Sequence, residues 1–249
     1  MGLDQQLDAA AQATEGAGAL CWACNSAVAA DAHFCPACGK VQAPTSGDHF
    51  SFFGLPRHTQ LDPAKLEKEF YRLSRKLHPD LFARATAREQ EWSLEKSSQL
   101  NDAYRTLREP IARIQYLLTL EGVKVEEQSS AATAAARQSG EEKKQVVPPE
   151  LLEEVFELNM QMQELRMNKQ MGEEDQENTA ALQAAKTKFE GDLDAIADEL
   201  RTAGAAWDAA YDANDDKSKS DAQDKLVAML NKRSYIRNLA RDVNEVLEA

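Results

Sequence analysis

The sequence lacks a long apolar run, and it has no lysine before Lys40 and no arginine before Arg57. Because a membrane-spanning helix needs about 20 consecutive, mostly apolar residues, we predict that the chain does not cross a membrane. The start of the chain also lacks the basic and apolar parts of a secretory signal and the arginines of a mitochondrial transit peptide. We therefore expect residues 1–18 to be a disordered leader of a bacterial cytoplasmic protein. The mitochondrial matrix is the alternative if a targeting segment has been removed.

Positive charge is scarce outside one stretch of the chain. The sequence has 29 lysines and arginines against 42 aspartates and glutamates, which gives a formal net charge of -13. Residues 50–122 carry a small positive excess, whereas the segments on either side are acidic. Because acidic segments repel phosphates, this distribution gives no support for binding to nucleic acid.

Cysteine is absent except in one short segment, where two Cys-x-x-Cys pairs are separated by ten residues: Cys21, Cys24, Cys35 and Cys38. Two such pairs supply the four thiolates of a tetrahedral zinc site, and Gly39 permits the tight turn after the second pair. We predict a structural zinc, because so small a module has little apolar core and gains its folding free energy from the metal. Disulfides and a rubredoxin-like iron site are the alternatives. His33 is expected to be a bystander, since four thiolates complete the coordination of the metal.

A basic helix followed by His78-Pro79-Asp80 is the most informative local feature. Asp62 can cap this helix, whose first residue is Pro63. The apolar residues share one face: Leu66, Phe70, Leu73 and Leu77. The basic residues share the other: Lys65, Lys68, Arg72, Arg75 and Lys76. Because a residue before proline is disfavoured in the helical region, we predict that the helix ends before His78 and leaves the tripeptide in an exposed turn.

The surroundings of this tripeptide make it specific. A short aromatic segment closed by Gly54 precedes the basic helix, and a second long helical pattern follows it and ends before Pro110. This order of elements resembles a J-domain. The resemblance implies that the basic face and the HPD turn bind a DnaK-type chaperone and stimulate its ATP hydrolysis. The alternative is an ordinary surface histidine beside a solvated basic face. No nucleophile or metal motif stands near His78, so we predict a contact role and no enzymatic activity.

The rest of the chain predicts a linker and a helical bundle. Residues 123–148 lack large apolar side chains apart from a few valines, which predicts a linker. Residues 149–249 then contain three stretches with apolar residues at alternating spacings of three and four. Three amphipathic helices with short connections form an antiparallel bundle.

The first bundle helix carries more apolar surface than a single core face requires. Leu152, Phe156 and Met160 lie one residue after the core positions, about 100° around the helix. Tyr235 is placed in the same way at the edge of the third helix. Periodicity alone favours a wide core face, because a helix between two others also has one; a partner contact is the alternative.

Two segments of the J-like region are more specific than the HPD turn: residues 48–56 (DHFSFFGLP) and residues 101–118, with NDAY at the start and YLL at the end. Residues 48–249 resemble the HscB family of co-chaperones in iron–sulfur cluster assembly, and the cysteine module resembles that of its zinc-bearing members. The resemblance implies that the bundle binds an IscU-type scaffold, with Leu152, Phe156 and Tyr235 at positions that contact it. It also implies that the J-domain delivers the scaffold to an HscA- or DnaK-type chaperone.

We therefore predict an all-α protein with a four-cysteine zinc module at residues 19–43, a J-domain at 48–122 and an antiparallel three-helix bundle at 149–249. The predicted function is non-enzymatic coupling of an iron–sulfur scaffold to a chaperone ATPase. A general J-protein that collects unfolded clients is the first alternative, and a redox protein that uses the four cysteines is the second. We expect the J-domain to be unaffected by loss of the metal. The sequence leaves open whether the module binds a partner or forms a homodimer.

Overall fold

The structure is a computed structural model that describes residues 18–123 and 152–248. Almost all of the predicted leader and the predicted linker lie outside the described residues. The chain divides into two compact units, Met1–Arg113 and Ile114–Ala249. The predicted all-α class is confirmed, because the only sheet among the described residues has two strands of two residues each.

The first unit begins with the four-cysteine module. Strands β1 (Ala19–Leu20) and β2 (Ala27–Val28) pair antiparallel, and the register places Ala19 opposite Val28. A single antiparallel bridge joins Phe34 to Val41 around the second cysteine pair. Each Cys-x-x-Cys pair is therefore enclosed by a short hairpin.

The two cysteine turns have the same backbone geometry. The N–H of Asn25 donates to the carbonyl of Cys21, and the N–H of Gly39 donates to the carbonyl of Cys35, both at 2.9 Å. Asn25 and Gly39 have positive φ angles of 59° and 71°. The tight turn predicted at Gly39 is confirmed, and Asn25 makes the matching turn because asparagine also tolerates the left-handed region.

Four helices and a 3-10 helix follow the module: α1 (His49–Phe52), α2 (Pro63–Leu77), the 3-10 helix (Pro79–Phe82), α3 (Ala87–Arg108) and α4 (Pro110–Leu120). The start predicted for α2 is confirmed, because the carboxylate of Asp62 accepts hydrogen bonds from the first turn. Helix α3 begins with a capping box formed by Thr86 and Glu89. The division between the two compact units falls inside α4.

Helices α2 and α3 pack antiparallel. The rings of Phe70 and Tyr104 stack at a centroid distance of 4.1 Å, while Ser93 donates a hydrogen bond to the carbonyl of Leu77 at the other end of the pair. The apolar face predicted for α2 is buried, with Phe70 at its edge. The interior of the unit is filled by these side chains: Phe50, Phe52, Phe53, Leu66, Leu73, Leu77, Leu100, Ala103 and Leu107.

The second unit contains three long helices: α5 (Leu152–Met171), α6 (Gln176–Asp212) and α7 (Asp216–Glu248). Polar contacts fix their alignment: Glu154 with Lys188, Glu164 with Asn178, and Lys169 with the carbonyl of Val246. These contacts run antiparallel from α5 to α6 and parallel from α5 to α7, as the predicted bundle requires.

The bundle core follows the predicted spacing with small rotations. The buried side chains include Leu158, Met162, Leu165, Leu182, Phe189, Ile196, Leu200, Trp207, Leu226, Leu230, Ile236, Leu239, Val243 and Val246. On α7, Leu230 and Val246 are more deeply buried than their neighbours Met229 and Leu247. Among the described helices, none is both long and apolar enough to cross a membrane.

Candidate functional site

The four cysteine sulfurs converge at the tips of the two turns. The Sγ atoms of Cys21 and Cys38 lie 3.7 Å apart, as do those of Cys24 and Cys35. All four sulfurs lie within 4.8 Å of one another. A tetrahedral zinc with Zn–S bonds of about 2.3 Å separates its sulfurs by about 3.8 Å, so this set fits one metal ion. The structure gives no support to disulfides, because the cysteines are free and a disulfide holds its sulfurs about 2.05 Å apart.

The thiols of Cys21 and Cys38 differ in how readily they ionise. Burial opposes ionisation of Cys21, but hydrogen bonds from the backbone N–H groups of Ala23 and Cys24 outweigh it and lower the pKa of Cys21 to about 6. The backbone N–H of Lys40 favours ionisation of Cys38, but burial and the other thiols outweigh it and raise the pKa of Cys38 to about 12. Metal ligands must be thiolates, so a metal ion that binds here displaces the proton of Cys38.

His33 is not part of the sulfur cluster, but it has a structural contact that the sequence analysis missed. The ammonium of Lys96 donates to Nδ1 of His33 at 3.4 Å, which leaves the ring proton on Nε2 to be donated to the carbonyl of Phe52 at 2.8 Å. Burial lowers the pKa of His33, consistent with this neutral ring. His33 thus links the cysteine module to α1 and α3.

Lys96 is an unusual partner for His33, because its side chain is 0% exposed. Burial lowers the pKa of Lys96 to about 8. A buried ammonium is costly unless polar groups accept its hydrogen bonds, and His33 supplies one acceptor from the module. No local sequence pattern indicates this contact, since Lys96 lies 63 residues after His33.

Two further contacts join the module to the start of α3. The ammonium of Lys40 lies 2.8 Å from the carboxylate of Glu89, which is itself buried. The rings of Trp22 and Trp92 meet edge to face at 5.8 Å, and the guanidinium of Arg88 lies 5.5 Å from the first ring and 5.7 Å from the second. The module is therefore packed on the J-like helices.

The HPD turn is exposed, as predicted. His78 leaves the helical region, with φ of -59° and ψ of 128°, and its Nδ1 accepts a hydrogen bond from the N–H of Asp80 at 3.3 Å. The side chains of His78 and Asp80 face solvent, and that of Pro79 is half-buried. Leu81 follows in the same turn and is also exposed. The turn thus presents a polar pair beside an apolar side chain.

The basic face predicted on α2 is exposed along its whole length. Its members are Lys65, Lys68, Arg72, Arg75 and Lys76. The carboxylate of Glu69 pairs with Arg72, and this hydrogen bond lowers the pKa of Glu69. Tyr71 lies between these cations and is exposed, although the sequence analysis did not select it. Its position next to Arg72, three residues after Lys68, would have placed it on the same face.

Several apolar residues of α5 lie outside the bundle core and form an exposed stripe. Phe156 is 69% exposed and Met160 is 56% exposed, and Met167 and Met171 continue the same face towards the end of the helix. Leu152 is the first residue of α5, and its side chain lies outside the described part of the chain. The wide core face that periodicity alone favours does not include Phe156 and Met160, because residues of a core face would be buried.

Tyr235 does not lie at an exposed edge, and this expectation is wrong. Its side chain is 3% exposed, and burial raises the pKa of Tyr235. Tyr235 and its neighbour Ile236 are both buried because α7 packs against α5 and α6, so its buried face is wider than one stripe. In this structure the ring has no free surface to share with Phe156.

No family model matches the chain, but comparison with curated proteins gives relatives over part of its length. The human iron–sulfur cluster co-chaperone HscB is 38% identical over 112 residues, which covers 43% of this chain and 48% of the human protein. The HscB homologue of Arabidopsis thaliana is 36% identical over 112 residues, covering 45% and 44% of the two chains. The HscB homologue of Vibrio parahaemolyticus is 42% identical over 78 residues, covering 31% and 46%. The chain thus spans about half the length of the curated relatives it matches.

A solved structure extends the likeness in fold. The crystal structure of human co-chaperone HscB matches with a TM-score of 0.60 and 24% identity, covering 91% of this chain and 98% of that one. Together with the four-cysteine cluster and the all-α architecture, this places the chain in the structural class of J-domain proteins with a C-terminal bundle. Within that class, the predicted resemblance to HscB-type co-chaperones is confirmed.

Proposed function

We propose that this chain binds an IscU-type iron–sulfur scaffold through its C-terminal bundle and stimulates the ATPase of an HscA- or DnaK-type chaperone through its HPD turn. The observation that carries the proposal is the exposed turn at His78-Pro79-Asp80, fixed at the end of an exposed basic helix in an HscB-like fold. The relatives are named as co-chaperones, which supports a non-enzymatic role.

The chaperone-binding step rests on charge and shape. The cations of α2 supply a positive surface that would steer an acidic face of the chaperone towards the turn. His78 and Asp80 then offer a donor and an acceptor, and the hydrogen bond from the backbone N–H of Asp80 to Nδ1 of His78 holds the imidazole ring in place. Because these groups make contacts and transfer no proton, the protein would act by favouring the hydrolysing conformation of the chaperone.

The scaffold-binding step rests on the exposed stripe of α5. Phe156 and Met160 provide apolar surface of the kind found at the centre of interfaces, and we place Leu152 with them as their neighbour one turn earlier. Tyr235 is left out of this proposed surface because it is buried. By binding scaffold and chaperone at once, the chain would raise the concentration of each near the other.

Zinc is the proposed metal of the four-cysteine site, because the sulfur distances suit a closed tetrahedral centre with no open position for chemistry. Its proposed role is structural. A homodimer through the module, and a location in the bacterial cytoplasm or the mitochondrial matrix, stay predictions. Sedimentation of the metal-loaded chain would decide the first of these.

A general J-protein is the second candidate function, and the methionines of α5 favour it. Met160, Met167 and Met171 are all exposed, and methionine-rich surfaces adapt to many apolar partners because the side chain is flexible and polarisable. Such a protein would bind unfolded clients broadly, whereas the favoured function requires one folded scaffold.

The deciding experiment measures ATP hydrolysis by a purified DnaK-type chaperone with the full-length chain, with and without an IscU-type scaffold. Wild type should stimulate hydrolysis, and scaffold should add to that stimulation; His78→Gln should abolish both effects. Phe156→Ala should remove only the extra stimulation by scaffold, whereas Glu157→Ala, at an exposed neighbouring position, should change nothing. If an unfolded client replaces the scaffold without loss of effect, the general J-protein is the correct function.

A further inference from the structure

One face of α3 carries its contacts with Trp22 and His33 of the cysteine module, and Glu89 beside it pairs with Lys40. Arg88, Trp92 and Lys96 follow one another at intervals of four residues, so they form a row along successive turns of the helix. Trp22 reaches the first two of these residues and His33 reaches the third. The module therefore lies along more than two turns of α3 and does not touch it at a single point.

The adjoining face of the same stretch of α3 holds the end of α2. The hydroxyls of Ser93 and Ser97 donate hydrogen bonds to the carbonyl of Leu77 at 2.7 Å and 2.9 Å. This carbonyl is one of those that an α-helix leaves without an internal partner at its C-terminus. Leu77 directly precedes His78, so the position of α3 sets the position at which the HPD turn leaves α2.

The module itself has little to hold it together apart from its metal site. Its buried apolar cluster consists of Cys21, Val28 and Cys35, with Ala32 packed against them. So small a cluster cannot offset the loss of chain entropy on folding, and metal binding supplies the difference in comparable modules. Loss of the metal would therefore release Trp22, His33 and Lys40 from α3 together.

We propose that the metal-loaded cysteine module positions the HPD turn through α3, with Trp22, His33 and Lys40 as the positioning residues. Removal of the metal loosens residues 88–97 of α3 and, through the serine hydrogen bonds to Leu77, the turn that follows. The last step, weaker stimulation of a chaperone ATPase, rests on the proposed function. The first step is a property of the chain alone and is measured without any partner.

Amide hydrogen exchange on the full-length chain tests the first step. After removal of the metal with a chelator, we expect exchange at least tenfold faster at residues 88–97 and 78–82, and full recovery when zinc is restored. If the faster exchange is confined to residues 18–42, the module does not position the turn and the inference is wrong.

Variants on the α3 side of the contact test the same coupling in the opposite direction. Coupling between two sites is reciprocal. If the metal stabilises the contact between the module and α3 by some factor, a change in α3 that removes this contact must lower the affinity for zinc by the same factor. Arg88→Ala, at an exposed position, should lower zinc affinity several-fold in competition with a chromogenic chelator. Arg105→Ala, on the same helix but outside the row, is the matched control. Equal zinc affinity for both variants would overturn the coupling.

ATPase measurements separate this inference from the proposed function. Metal-free wild type should need a several-fold higher concentration for half-maximal stimulation than the zinc-loaded protein, while His78→Gln should be inactive in both states. A zinc-loaded wild type that stimulates no chaperone would refute the proposed function, yet the exchange result would still decide the coupling. Equal stimulation with and without metal would refute the coupling and leave the proposed function intact.

Discussion

The elements of the first unit begin and turn at single residues with local polar contacts, whereas the second unit depends on long apolar faces. In the first, a cap or a turn residue sets each of these positions, as at Asp62, Thr86 and Gly39. In the second, helices of 37 and 33 residues share one continuous core. Single residues therefore set the geometry of the first unit, while the free energy of the second is spread over many contacts.

The exposed surfaces of the two units also differ in being polar in the first and apolar in the second. The first unit presents a polar turn, where the direction of each hydrogen-bonding group matters, and a rigid setting keeps such groups in position. The second presents an apolar stripe on α5, where contact area matters more than direction. A protein that must orient a chaperone and also hold a folded scaffold can use both.

The largest effect should follow removal of a cysteine, because it breaks the first unit where a single group matters most. Cys35→Ser should abolish binding of one zinc per chain, since the free energy of zinc binding to such sites is about 10 kcal/mol or more and three thiolates retain little of it. Metal analysis after dialysis against a chelator checks this. Ser26→Ala, next to the cluster but not a ligand, should keep its zinc; retention of a full zinc by Cys35→Ser would contradict the assigned ligand set.

The second largest effect should come from the buried tyrosine of the second unit. Tyr235→Ala removes a large side chain from the bundle core and should cost about 3 kcal/mol of unfolding free energy. Phe156→Ala, which truncates an exposed ring, should change stability by no more than about 0.5 kcal/mol. Urea denaturation of both variants measures the difference. Equal losses of unfolding free energy would mean that the two rings have similar surroundings. This would contradict the burial of Tyr235 and the exposure of Phe156.

The sequence predicted the first unit more fully than the second, because its proline, glycine and helix-capping residues each indicate where a helix or turn begins or ends. The start of α2 at Pro63, its end before the His-Pro step and the turn at Gly39 were all readable, since each depends on a local backbone preference. Periodicity in the second unit gave the helices but not their rotation. A rotation of one residue separates an exposed edge from the core, which is why Tyr235 was placed wrongly.

Contacts distant in sequence were the part that no local pattern could give. The four thiols were recognisable from their spacing, but the pairing of His33 with Lys96 and of Lys40 with Glu89 was not. These residues belong to different elements, and their types suggest ordinary surface positions when they are read singly. The attachment of the module to α3 therefore appears only in the folded structure.

A smaller effect is expected from the cap of α3, which tests local control in the first unit. The hydroxyl of Thr86 accepts a hydrogen bond from the N–H of Glu89, whose carboxylate reaches back to the N–H of Thr86. Thr86→Ala should cost about 1 kcal/mol of stability, the usual value for loss of an N-cap. Ser98→Ala, an exposed position within the same helix, is the control and should be nearly neutral. Equal urea midpoints for the two variants would show that the capping box adds nothing.

The smallest effect concerns pH and a carboxylate cap in the second unit. The carboxylate of Asp175 accepts hydrogen bonds from the backbone N–H and the side chain of Asn178 at the start of α6, and the first of these is the main reason that its pKa lies below the usual value. A carboxyl group whose pKa is lowered by folding stabilises the fold above its ordinary pKa of about 4, and the benefit is lost as the pH falls through the lowered value. Asp175→Asn keeps a capping oxygen but cannot titrate, so its melting temperature should fall less than that of wild type between pH 6 and pH 3. Asp198→Asn, an exposed position on the same helix, should keep the wild-type dependence. If the two variants respond alike to acid, the cap of α6 does not contribute to acid sensitivity.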